Sequence, residues 1–179
     1  MKIDKKNICS LFLTVISVTA CSDYTVTTST PENSSQPAQN SAQVEQKPDF
    51  SSVTTKLKDP AFGAVDAINN VTSPKSGSVI PVTGEKIEIA GNYVDAVKKD
   101  VASGVLVVID SKPFVATYGG ERPDIAKALN NPKYLRSQFY VSIPTAEIGK
   151  GLHEVKIRVI ANDMSGYYES DWVGKLDIK

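Results

Sequence analysis

Acid–base chemistry in this chain rests on one histidine, His153, among 179 residues. Ser-His-Asp or Cys-His catalysis needs that imidazole accessible. His153 shares strand parity with Val155, Ile157 and Val159, so it is expected to point toward the core as a hydrogen-bonded structural residue. A histidine-based metal site needs more ligands than the chain can supply. Oxygen ligands for calcium could come from Asp163, Glu169 and Asp171 around the turn Asp163-Met164-Ser165-Gly166. Their spacing does not match an EF-hand loop, and a plain hairpin turn is the expected reading. Paired carboxylates for glycoside hydrolysis would have to be drawn from Glu121, Asp124, Glu169 and Asp171. Nothing in the spacing sets any two of them at the required separation. No catalytic residue and no cofactor are expected.

Binding chemistry has more material. The loop Tyr118-Gly119-Gly120-Glu121-Arg122-Pro123-Asp124 joins a glycine pair to an aromatic and opposed charges, and Tyr134, Arg136 and Tyr167 follow. Aromatic and arginine side chains on loops are common anchors for protein or sugar ligands. The candidate ligand- or partner-binding residues are therefore Tyr118, Glu121, Arg122, Asp124, Tyr134 and Tyr167. Tyr118 shares parity with Phe114 and Ala116, and Tyr168 and Trp172 with Leu176 and Ile178. Those three are expected in the core or at its rim, whereas Arg122 and Tyr167 are expected exposed. The competing reading is that Arg122 and Asp124 only brace an insertion. Charge adds an exclusion: 20 basic residues balance 20 acidic ones, and no basic patch interleaved with aromatics exists, so nucleic acid is not an expected partner.

Strands must position these residues. Ile87, Ile89 and Gly91 alternate with Glu88 and Ala90, and Phe139, Val141 and Ile143 alternate with Tyr140 and Ser142. Both patterns read as half-buried strands. Val105 to Ile109 form an apolar, β-branched run expected at the centre of a sheet, and Asp110-Ser111-Lys112 turn it into Phe114-Val115-Ala116-Thr117-Tyr118 as a hairpin. Val155, Ile157 and Val159 alternate with Glu154, Lys156 and Arg158, and Tyr168 to Ile178 supply the last strand. Turns every 8 to 15 residues with hardly any helical period predict an all-β, antiparallel β-sandwich over residues 59–179. One short helix, at about 123–130, interrupts it. Pro123 stands in its first turn, Asp124 near its start, and Asn130-Asn131-Pro132 stop it. Ile125 and Leu129, four apart, are expected to face the sandwich.

The segment from Gly84 onward resembles bacterial immunoglobulin-like envelope modules. The likeness is carried by Val108-Ile109-Asp110-Ser111-Lys112-Pro113-Phe114, Ala116-Thr117-Tyr118-Gly119 and Arg122-Pro123-Asp124-Ile125-Ala126. Ile143-Pro144, Gly151-Leu152-His153 and Gly166-Tyr167-Tyr168-Glu169 complete it. Similar modules occur appended to bacterial membrane proteins of envelope glycan metabolism. The resemblance implies an immunoglobulin-like fold and leaves function open, because sandwiches host many roles.

The first 58 residues read as an address and a tether. Lys2, Lys5 and Lys6 precede an apolar run from Ile8 to Val18 that is too short to span a bilayer and suits a cleaved signal. Val18-Thr19-Ala20-Cys21 resembles a bacterial lipoprotein lipobox, which implies a signal peptide over 1–20 and lipid on Cys21. The alternative is an ordinary secretory signal with Cys21 a bystander. Cys9 lies inside the removed segment, so the mature chain keeps one cysteine and no internal disulfide, and lipidation consumes a thiol that oxidation would otherwise threaten. Processing removes three lysines and one aspartate, leaving 17 basic against 19 acidic residues, a net charge of −2. Ser22 follows the cysteine and Asp23 sits one place late for inner-membrane retention, so the outer membrane is favoured. Residues 21–58 form the lipidated terminus and a linker rich in Ser, Thr, Pro, Asn and Gln. It is expected to be disordered, with a reach of roughly 30–35 Å. The expected function is a membrane-anchored, non-catalytic binding module of the cell envelope that docks to an envelope protein or glycan. The runner-up is a passive accessory subunit that joins a complex through an edge strand, and a glycan-processing enzyme is the third reading.

Overall fold

Buried and exposed residues alternate through most of the region that the computed structural model describes, residues 48–179. Its strands are β1 (Phe62–Ile68), β2 (Val71–Thr72), β3 (Val79–Val82), β4 (Lys86–Asp95), β5 (Asp100–Val101) and β6 (Gly104–Ile109). They continue as β7 (Lys112–Val115), β8 (Thr117–Gly120), β9 (Gln138–Pro144), β10 (Gly151–Ile160) and β11 (Tyr167–Ile178). One sheet has the order β2-β1-β4-β9-β8, with β5 also on β4, and the other the order β3-β11-β10-β6-β7. Lettered along the chain, β1-β4-β9-β8 is the A-B-E-D order of an immunoglobulin sandwich and β6-β10-β11 its C-F-G order. The expected all-β, immunoglobulin-like sandwich is the fold.

Among the named strands one pairing departs from the antiparallel expectation. β3 runs parallel to β11, with Val79 opposite Lys175 and Val82 opposite Ile178. No hairpin joins these strands, since the chain reaches β3 by crossing from the first sheet after β2, so no turn imposes opposite directions.

The core is built where the inward faces meet. Val105, Val107 and Ile109 of β6 and Val155, Ile157 and Val159 of β10 oppose Ile87, Ile89, Phe139, Val141 and Ile143, all buried. The two-residue hairpin between β6 and β7 has Asp110 at φ 46 and Ser111 at φ 75, the pair of positive values that a type I′ turn demands. An aspartate tolerates this region better than most side chains. The Asp110 carboxylate also accepts the Glu154 amide at 2.9 Å and pairs with His153 Nδ1. His153 thus clamps a turn at the margin of the core, its side chain 13% exposed, and it holds the Asp110 carboxyl below its usual range.

Two sequence expectations give way here. The helix α1 spans Pro123–Ala128, and Leu129 beyond it is 38% exposed rather than packed on the sandwich. The chain leaves helical geometry at Leu129, and Asn130 adopts φ 49, which turns the side chain outward. Second, the end of the expected linker belongs to the domain. Phe50 is 7% exposed and packs with Leu106, Val108 and Ile160, with Val53 beside them. Tyr167 N donates to Thr55 O at 2.9 Å and Leu57 N to Tyr167 O at 2.8 Å. Three apolar residues in eight were too sparse to read as structure, yet Phe50 and Val53 cover the outer face of β6, all six of whose residues are buried, and Leu57 packs against the main core. Cys21, the signal segment and the linker up to residue 47 lie outside the described residues.

Candidate functional site

Most of the six binding candidates are engaged by other residues of the domain. Arg122 is 19% exposed along its side chain, not the exposed anchor expected. Its Nε and Nη2 donate to the two Asp124 oxygens at 2.9 and 2.8 Å, while Nη1 pairs with Asp66 of β1. This planar fork ties the first turn of α1 to the neighbouring strand. The guanidinium holds the Asp124 carboxyl down at about 2. Arg122 and Asp124 thus make the contacts that the bracing alternative expects. Arg122→Ala is expected to lower the thermal midpoint by roughly 5 °C, and Arg122→Lys to recover little of it, because a point charge cannot make the bidentate contact. A Lys variant as stable as the native chain in a melting experiment would refute the brace.

The aromatic candidates are similarly engaged. Tyr118 is half-buried, and its hydroxyl donates to Tyr93 O at 2.6 Å and accepts the Ala102 amide at 3.1 Å. That fulfils the expectation of a rim residue. Tyr134 is 7% exposed, buried beneath the short 3-10 turn Pro132–Arg136 that carries it, and cannot present a ring to a ligand. Tyr167, expected exposed, is half-buried under the Arg158 guanidinium, 4.7 Å from its centroid. The residues 55–57 that flank it were assigned to the linker, so their cover was invisible in the sequence. Glu121 does reach solvent, 64% exposed and 3.7 Å from Arg136.

The carboxylates are dispersed. Glu121 and Asp124 follow β8 in one sheet, whereas Glu169 and Asp171 lie in β11 of the other. Asp163 pairs with Lys98 at 2.8 Å and accepts from Ser165 N and Oγ at 3.1 and 2.6 Å. Glu169 pairs with Lys56 and sits 3.7 Å from Arg158. Among the described residues no three His, Cys, Asp or Glu side chains are placed to hold a metal ion, so the Asp163, Glu169 and Asp171 set is not brought together.

A different surface is better formed for binding. β4 runs from Lys86 to Asp95, about 30 Å of strand. At the Lys86 end an open cleft of about 630 Å³ is lined by Asn69, Thr83, Glu85, Lys86 and Glu88, with Val71 as an apolar wall. Asn69 (φ 47) is fixed by its own backbone and side chain: its amide donates to Glu88 O at 2.8 Å, and its Oδ1 accepts the Glu88 amide at 2.7 Å. On the adjacent sheet face Tyr140, 42% exposed, donates to Glu88 Oε1 at 2.9 Å. That carboxylate pushes the Tyr140 phenol upward. The result is an aromatic face beside amide, hydroxyl and carboxylate groups, a polar set suited to a hydroxyl-rich or peptide ligand. Sequence reasoning passed over Tyr140 and Glu88. Their outward parity opposite Phe139, Val141, Ile87 and Ile89 was the available signal.

No protein-family model and no curated protein matches this chain. Among solved structures, an endo-β-1,4-mannanase from Thermotoga petrophila aligns with it at 12% identity and a TM-score of 0.40. The alignment covers 68% of this chain and 20% of the mannanase, so the chain spans about a fifth of that protein's length. No helix of the described residues is long and apolar enough to cross a membrane.

Proposed function

We propose that this protein is a lipoprotein of the bacterial envelope, acylated at Cys21 and held at the outer membrane, whose immunoglobulin-like domain is a non-catalytic binding module. Its partner is an envelope protein or glycan, met at the Asn69–Glu88 cleft and the Tyr140 face. The observation that carries this reading is the exposed Tyr140 ring fixed by Glu88 beside a preformed polar cleft, on a chain whose amino terminus resembles a lipobox. The non-catalytic assignment is supported by His153, whose Nδ1 is taken by Asp110 and whose Nε2 is buried. The accessory-subunit alternative would have to use short or partly covered edges. β3 and β7 have four residues each, with Pro81 and Pro113, β8 has four including two glycines, and β2 covers β1 only at Ala67 and Ile68, which leaves Phe62–Val65 as the longest edge stretch.

The test is photocrosslinking in the native envelope from a reactive side chain at Thr83, which lines the cleft. A discrete adduct is expected, and Tyr140→Ala with Glu88→Gln should lower its yield about tenfold or more while the melting temperature stays nearly constant. An adduct of undiminished yield would remove this site. Incorporation of an alkyne-tagged fatty acid that disappears in Cys21→Ser is the matching test of the anchor.

A further inference from the structure

The opposite end of the sandwich carries a second surface with a different composition. Three segments meet there: the turn 96–99 after β4, the turn 161–166 between β10 and β11, and the insertion 121–137 between β8 and β9. Asp95, fully buried, accepts the backbone amides of Lys98 and Asn162 at 2.9 Å each, pinning the first two together. Lys98 Nζ bridges to Asp163 at 2.8 Å, and Asn131 Nδ2 donates to Lys99 O at 3.1 Å, joining the third. The tips are therefore held rigidly, yet each presents an aliphatic side chain to water: Val97 is 53% exposed, Met164 46% and Leu129 38%. Met164 does so from a left-handed backbone at φ 58, a conformation for which glycine or asparagine is the easier choice. An open cleft of about 600 Å³ between the first turn and the insertion is lined by Lys98, Lys99 and Lys133. Lys127 lies in the last turn of α1. Asp163 and Asp100 answer Lys98 and Lys133. Lys99 and Lys127 have no ion pair among the described residues, which leaves these two ammonium groups free to meet an anion.

The position of the chain decides the occupant. Phe50 seats against Gly104, where a Cβ would come within 2.3 Å of its ring. Ser103, the residue before, donates from Oγ to Asn162 O at 2.8 Å. The first described residues thus join the domain at this same end, and residues 22–47 alone separate it from Cys21. A random coil of that length would reach about 30 Å, which would put the end at an effective concentration on the order of millimolar to the surface holding the lipid. Aliphatic tips around a cationic cleft suit the interface of an anionic bilayer, where apolar groups enter the headgroup boundary and lysines meet phosphate.

We infer that the end bearing Val97, Leu129, Met164, Lys99 and Lys127 docks on the anionic lipid surface to which the chain is tethered, which points the Tyr140 cleft away from it. This rests on the proposed anchor at Cys21. The experiment uses the acylated full chain in vesicles of phosphatidylglycerol and phosphatidylethanolamine, or of phosphatidylcholine alone. Met164→Cys carries an environment-sensitive dye, Cys21 being blocked by its lipid, and Val97→Cys serves as a second reporter if the first fails to fold. A blue shift and quenching by brominated acyl chains are expected in the anionic vesicles, with most of the shift lost in phosphatidylcholine, in 0.5 M salt, or in Lys99→Glu with Lys127→Glu. An acylated chain whose dye stays in water in every vesicle overturns the inference and leaves the anchor standing. A dye that shifts only when an acidic protein is added overturns it in favour of a protein partner. Absence of acyl label on Cys21 ends both readings.

Discussion

A chain that begins at Asp59, where composition places the start of the domain, is expected to be poorly folded. Truncation there removes Phe50 and Val53, which pack with Leu106, Val108, Ile160 and Tyr167, and Leu57, which packs against the main core. Loss of a buried phenylalanine alone costs about 3–5 kcal/mol, and a domain of this size holds only about 5–15 kcal/mol in all. The lost residues also satisfy both backbone groups of Tyr167 and supply Lys56 to Glu169. The uncovered sheet face is apolar and contiguous with an unpaired stretch of β11, a combination that invites self-association. Denaturant unfolding should show the 59–179 chain less stable than the 48–179 chain by about 4 kcal/mol or more, with aggregation on warming. Phe50→Ala in the longer chain should reproduce most of the loss. Equal midpoints for the two chains would mean that residues 48–57 merely lie against the sheet.

That boundary shows where sequence reading ends. Period-two alternation is a local signal, and β4, β9 and β10 announced themselves through it at Ile87 and Ile89, Phe139 to Ile143 and Val155 to Val159, whereas β1, as long as β9, carries no such alternation and was not read. Tight turns with their own chemistry, such as Asp110-Ser111, were legible for the same reason. Whatever depends on a distant partner was not. Phe50 is meaningful only because Gly104, far along the chain, leaves room for its ring. Arg122 was expected exposed because Asp66, its partner besides Asp124, sits 56 residues away. Tyr134 follows α1 in a polar stretch, and only the 3-10 turn that buries it shows that it is core. The converse failure occurred at Tyr140 and Glu88. Outward parity was plain in their alternation, but their hydrogen bond joins β4 to β9 across 52 residues, and only pairing makes them a surface. Local patterns gave the architecture, and the candidate site had to wait for register.

The same register sets how the domain should fail in alkali. Tyr93 is wholly buried, its hydroxyl 2.7 Å from Ser170 Oγ, and burial pushes its phenol up to about 12. Tyr118 beside it, bonded to Tyr93 O and Ala102 N, is pushed up to about 12 by the same cause. An unfolded tyrosine titrates near 10. Below pH 10 both states keep these protons and stability does not depend on them. Above pH 10 the unfolded chain releases protons that the folded chain retains, so stability falls as pH rises and is lost progressively up to about 12. The loss approaches about 3 kcal/mol per ring by pH 12, enough for the pair to unfold a domain of ordinary stability. The thermal midpoint should thus be flat to pH 10 and then drop steeply, with phenolate absorbance of the buried rings appearing only as ellipticity disappears. Tyr93→Phe with Tyr118→Phe lowers stability at pH 7, because Ser170, Ala102 and the Tyr93 carbonyl lose partners. The same variant should show a clearly shallower decline between pH 10 and 12, with the remaining slope carried in part by Tyr168, which burial also raises to about 12. Parallel declines for the native and double-variant chains would show that these two phenols are not what alkali attacks.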